Sequence, residues 1–170
     1  EQLSGYAAIG HVRYSTSGGT VLRNVQPLFA DLAGGGLAIA HNGNITNAKG
    51  LRRELEERGS IFQSTMATEV IVHLIATGKE AGLVEKLIEA LCRLNGAYAL
   101  VIQTHEALIG VRDPHGVRPL ILGELDGGHI LCSESCALDI IGANFIRDVK
   151  PGEVVVIDDK GVRSLQPFPK

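Results

Sequence analysis

The run His41-Asn42-Gly43-Asn44 sets two kinds of hydrogen-bond donor side by side where no hydrophobic core asks for them. Asn42 offers two side-chain amide N–H groups, and Gly43 offers a main-chain N–H that no side chain shields. Paired donors of this sort are what an oxyanion developing on an acyl carbon needs. The same four residues have a plainer reading, because an Asn-Gly dipeptide after a strand favours a hairpin turn on its own account. A second group lies upstream. Arg13-Tyr14-Ser15-Thr16-Ser17-Gly18-Gly19 is rich in hydroxyls and carries one arginine, which suits it to hold a small anion on a forked guanidinium. A solvated loop with an incidental arginine has the same composition. Cysteine chemistry has less to build on. Cys132 and Cys136 are spaced C-x3-C with no second Cys/His pair at ligand spacing, so no metal site is expected. Cys136 opens a short predicted helix whose dipole would favour the thiolate, but Ala137 to Ile141 read as a packed apolar face with no base in evidence. A phosphate-binding P-loop is absent from the sequence.

These groups have to be carried by a scaffold. Gly36 and Leu37 to Ala40 read as a short buried strand that runs into the His41 to Asn44 turn. Tyr6 to Val12 predicts a strand leading into the arginine loop, and Asn24 to Phe29, followed by Gly34-Gly35-Gly36, predicts a hairpin-like approach to the central strand. Asn47 is placed to N-cap a helix reaching about Arg58 and closed by Gly59, with Leu51 and Leu55 as a thin apolar stripe. A second helix, capped by Ser64-Thr65 or by Thr68, follows on Val70, Ile71, Leu74 and Ile75 up to Gly78, and a third spans Leu83 to Leu94. His73 and Cys92 within these helices read as satisfied core residues. Strands are then predicted over Ala97 to Thr104, Ala107 to Arg112, Leu120 to Leu125, His129 to Ser133, Phe145 to Val149, Val154 to Asp158 and Val162 to Leu165, with a helix from Cys136 to Ile141. Turns such as Asn95-Gly96 and Asp126-Gly127-Gly128 imply antiparallel hairpins, so the class is α+β.

The 170 residues allow one domain with a substantial core, and 45% hydrophobic with 21% charged residues is the balance of a soluble globular chain. A net charge of −3 without a Lys/Arg cluster excludes a nucleic-acid footprint. No apolar run approaches the roughly 20 residues of a membrane helix, so no membrane partner is expected. Three cysteines, few and odd in number, point to a reducing cytoplasm.

Several motifs occur together in one order: Gly10-His-Val-Arg-Tyr-Ser-Thr16, Asn24-Val-Gln-Pro-Leu28, His41-Asn-Gly-Asn44, Gly59-Ser-Ile-Phe-Gln63, Thr68-Glu-Val70, Gly96-Ala-Tyr-Ala99, Arg112-Asp-Pro-His-Gly-Val-Arg-Pro-Leu120 and Ser133-Glu-Ser-Cys-Ala137. Together they resemble the glutaminase domain of the amidophosphoribosyltransferase family, among the class II, N-terminal-nucleophile amidotransferases. The resemblance implies a four-layer αββα sandwich of two antiparallel sheets, Ntn-hydrolase-like and truncated at its N-terminal edge. It implies that Asn42 and Gly43 are the oxyanion pair, that Arg13 clamps the α-carboxylate of glutamine, and that Tyr14 and Thr16 belong to the same recognition loop. It further implies a cytoplasmic parent protein. There, ammonia would pass to a phosphoribosyltransferase domain after Lys170 and on to phosphoribosyl pyrophosphate, the first committed step of purine synthesis. Such parents form homo-oligomers; they use magnesium in the phosphoribosyltransferase domain and in some members carry an iron–sulfur cluster, and this segment is expected to hold no cofactor of its own.

Two departures limit the expectation. Family members begin with the nucleophilic cysteine, whereas Glu1 corresponds to a point inside the domain, and none of Cys92, Cys132 and Cys136 matches the nucleophile's place. Ala67 occupies the substrate-binding position where the family usually has an aspartate holding the α-ammonium, a charge-assisted hydrogen bond that alanine cannot accept. The segment alone is therefore expected not to hydrolyse glutamine. Two alternatives stay open: a non-catalytic domain that retains the fold, and the glutaminase domain of another class II amidotransferase, which Tyr14 and the Arg112 to Leu120 run disfavour.

Overall fold

Two antiparallel sheets lie face to face in the computed structural model, which describes residues 5–12 and 21–168. The larger sheet is built from β1 (Leu28–Leu32), β2 (Gly35–Ile45), β3 (Gly96–Gln103), β4 (Leu108–Arg112), β8 (Val154–Asp158) and β9 (Gly161–Leu165), adjacent in that order. The smaller one places β5 (Ile121–Leu125) between β6 (Gly128–Cys132) and β7 (Asn144–Asp148). Helices α1 (Ala48–Glu57), α2 (Ala67–Ala76) and α3 (Leu83–Leu91) cover one face of the large sheet, and α4 (Cys136–Ile141) covers the outer face of the small one. This is the α+β, four-layer arrangement that the resemblance implies.

Strand alternation divides the core between the layers. Tyr98, Leu100 and Ile102 of β3 join Leu37 and Ile39 of β2 against the helices, while Ala99 and Val101 turn toward the small sheet with Val155, Leu120 and Leu131. Strand β8 is covered on both faces, which is why Val154-Val155-Val156 reads as an unbroken apolar run rather than an alternation. Glu153, 1% exposed, takes two hydrogen bonds from the Arg147 guanidinium at 2.7 and 2.8 Å and so ties the end of β7 to the start of β8.

Four local expectations change. Tyr6 to Val12 is irregular rather than a strand: it is largely exposed, and it meets β3 through the Gln103 amide donating to the Ala7 carbonyl, whereas a strand needs a partner's row of amides. His41 to Asn44 is not a turn. β2 continues to Ile45 because β3 pairs with it along the whole stretch, Asn42 opposite Ala99 and Gly43 opposite Tyr98. Asn47 occupies the N-cap of α1, but its side chain is engaged with the Arg93 carbonyl and the Asn95 amide instead of the helix end. Cys92 follows α3 as an exposed C-cap residue rather than a core one.

Candidate active site

A pocket of about 710 Å³ opens beside the second half of β2. Ala40, Asn42 and Asn44 share one face of that strand, turned away from the helix layer, and Ala99 lies directly across from Asn42 on β3. Alanines at 40 and 99 leave room over the carboxamide. Among the described residues the Asn42 side chain has no hydrogen-bond partner, so both its N–H groups are open to a ligand. Gly43 lines the same pocket with φ +139°, a backbone conformation that favours glycine. The sequence-based pair is therefore brought together on one wall, held by a strand rather than a turn.

The start of α2 lines the pocket as well, through Thr65 and Met66 just before the helix and Ala67 and Thr68 in its first turn. Neither Ser64-Thr65 nor Thr68 is the cap; Met66 sits there, and the helix reaches back instead. The Glu69 carboxylate accepts the Gln63 and Ser64 amides, both at 2.7 Å, and the Ser64 hydroxyl at 2.6 Å. Burial pushes the Glu69 carboxyl up, but these donors outweigh it and hold it below the usual carboxylate range. The buried Asn24 amide in turn bonds the Thr65 hydroxyl and main chain. Ala67 lines the same pocket with a methyl group and no acceptor on its side chain.

Arg13, Tyr14 and Thr16 lie outside the described residues. The segment leading to them is present: Gly10, His11 and Val12 line the pocket.

Residues without an assigned role in the sequence complete the site. Arg118 reaches the pocket from a loop that is fixed by main-chain contacts. The fully buried Asp113 carboxylate accepts the amides of His115, Val117 and Tyr98, and the Arg112 guanidinium donates to the carbonyls of Gly116, Arg118 and Val149 at 2.7–2.8 Å. The Arg112 to Leu120 motif contained this residue; what it could not show is that the loop points toward β2.

His41 is buried to 8% exposure, its Nδ1 is 3.4 Å from the Thr68 hydroxyl, and its Nε2 has no partner among the described residues. Burial first, and then the charges of His11 and Arg118, push its pKa down to about 4 from 6.5. The imidazole is neutral at physiological pH. As pH falls below 6.5 the unfolded chain binds this proton before the folded one does, so stability is lost between pH 6.5 and about 4. Urea unfolding at pH 7 and pH 5 should differ by about 2 kcal/mol from this group, within its limit of about 3 kcal/mol. A His41→Asn chain should show a correspondingly flatter pH dependence.

The thiols fit a nucleophile poorly. Cys132 lines the pocket, but burial pushes its pKa up and its Sγ donates to the Glu134 carbonyl at 3.3 Å. Cys136 Sγ donates to the Glu134 carboxylate at 3.8 Å, on a helix of six residues.

A family model described as a glutamine amidotransferase domain matches residues 11–139. An amidophosphoribosyltransferase of Rhizobium etli is 54% identical over 157 residues, covering 92% of this chain and 32% of that protein. A chloroplastic amidophosphoribosyltransferase of Arabidopsis thaliana is 49% identical and covers all of this chain and 30% of its own length. The chain thus spans about a third of the curated relatives it matches. Among solved structures, the glutamine phosphoribosylpyrophosphate amidotransferase from B. subtilis, complexed with ADP and GMP, superposes with a TM-score of 0.89 at 42% identity, over 94% of this chain and 34% of that one.

Proposed function

Because the chain belongs to the glutamine amidotransferase family, we propose that it serves as the ammonia-releasing half of an amidophosphoribosyltransferase. In this reading a cysteine thiolate attacks the side-chain amide carbon of glutamine, and the tetrahedral oxyanion is held by the Asn42 amide and the Gly43 N–H. Collapse, with the thiol proton taken up by the cysteine's own α-amine and handed to the leaving nitrogen, expels ammonia and leaves a thioester, which water hydrolyses to glutamate and the free thiol. Arg13 clamps the α-carboxylate, with Tyr14 and Thr16 beside it. Ammonia then passes to phosphoribosyl pyrophosphate in a phosphoribosyltransferase domain of the same polypeptide, and the cytoplasm is the compartment that suits three unpaired cysteines. The observation that carries this reading is the convergence of Asn42 and Gly43 with Val12, one residue before Arg13, on one pocket.

Ala67 favours a second reading, a domain that keeps the fold and loses selectivity for glutamine, since the wall that should meet the α-ammonium offers a methyl group. Calorimetry of the chain with glutamine and with glutamate separates the two. Retained amino-acid binding that disappears in Arg13→Ala supports the carboxylate clamp. Absence of binding, or binding indifferent to Arg13→Ala, leaves only a scaffold.

A further inference from the structure

His41 immediately precedes the oxyanion pair, and three features of its surroundings have no part in the chemistry above. The first is on its main chain. β1 pairs with β2 only from Leu28 opposite Ile39 onward, and continuing that register would place Pro27 opposite Ala40 and Gln26 opposite His41. Proline has no N–H to give to a ladder. The Gln26 side chain supplies the next rung instead: its Oε1 accepts the His41 N–H at 2.7 Å and its Nε2 donates to the His41 carbonyl at 3.4 Å. The second is on the side chain, where Nδ1 meets the hydroxyl of Thr68, itself 1% exposed. The third is the cost: among the described residues Nε2 is left buried and unpaired, an expense that cores avoid and sites tolerate.

We propose that Gln26 and Thr68 are positioning residues that fix the oxyanion donors by gripping His41 from its two sides. Gln26 stops β2 from sliding past the end of β1. Thr68 ties the same residue to the first turn of α2, so that the strand bearing Asn42 and Gly43 and the turn bearing Ala67 cannot drift apart. Oxyanion donors must be held about 2.7–3.1 Å from the oxygen on which charge develops, and displacements near 1 Å are costly in rate.

The inference rests on the glutaminase reading, and its test keeps the two apart. Glutamate release is measured on the intact polypeptide that carries this domain, for Thr68→Val, Thr68→Ser, Gln26→Ala and Asn42→Ala, with melting temperatures recorded alongside. Thr68→Val, which keeps the shape and removes the hydroxyl, and Gln26→Ala should each lower kcat about tenfold with KM for glutamine nearly unchanged. Thr68→Ser should recover most of the loss. If Asn42→Ala is inactive while Thr68→Val and Gln26→Ala keep full kcat, with or without a lower melting temperature, the positioning role is overturned. Should Thr68→Val fail to fold, Gln26→Ala decides by the same criterion. Wild-type polypeptide that releases no glutamate, or Asn42→Ala that releases it normally, overturns the glutaminase reading itself.

Discussion

Asn42→Ala in the intact polypeptide is expected to lower glutaminase turnover by roughly 10²–10³-fold, equivalent to about 3–4 kcal/mol of transition-state stabilisation. The effect should fall on kcat rather than KM, because the negative charge that Asn42 stabilises develops only after attack on the amide carbon. The fold should hardly notice: among the described residues the carboxamide has no partner to lose, and its neighbours across and along the sheet are the alanines at 99 and 40. Asn42→Asp sharpens the test, since it keeps the shape and one acceptor but replaces two donors with a negative charge facing the oxyanion. It should be at least as slow as Asn42→Ala. Turnover within threefold of wild type in either variant would show that the amide does not face the reacting carbon.

Gly43→Ala should act through structure first. A Cβ at this position would stand 2.1 Å from the Ala97 carbonyl oxygen and 2.8 Å from Tyr98 Cα, both main-chain atoms of the paired strand β3. No rotamer relieves a clash with backbone, and φ +139° is a conformation that L side chains rarely adopt. Dihedral strain of about 1–3 kcal/mol and overpacking of about 1–3 kcal/mol together predict a loss of roughly 2–6 kcal/mol. That is a large part of the roughly 5–15 kcal/mol that holds an ordinary domain together. Thermal unfolding of Gly43→Ala beside Gly50→Ala checks the claim. Gly50 lies within α1 with nothing within 4 Å of the added methyl group, so that variant should match or slightly exceed the wild-type melting temperature. Equal melting temperatures for Gly43→Ala and wild type would mean that β2 and β3 are not so closely paired at this rung.

Gly43 and Asn42 also divide what local chemistry decides from what distant contacts decide. Taken alone, His41-Asn42-Gly43-Asn44 satisfies every requirement of a turn. Strand β3, more than fifty residues later, overrides that preference by offering a continuous row of amides out to Gly96 opposite Ile45. Asn47 shows the same competition in miniature. Its place at the start of α1 follows from residue type, yet its side chain is taken by Arg93 and Asn95, which no reading of residues 44 to 50 would bring near.

The sequence by itself determined the class and most of the elements, down to the bounds of α4, Cys136–Ile141, because turn chemistry and hydrophobic period act over a few residues. The ordered motifs also determined the family and pointed to Asn42, Gly43 and Ala67. Tertiary structure alone decided which residues meet: Gln26 and Thr68 on His41, and His11 with Arg118 about the same pocket. The neutral state of His41 follows from that meeting, since burial and neighbouring charge are properties of a place in the fold rather than of a residue type.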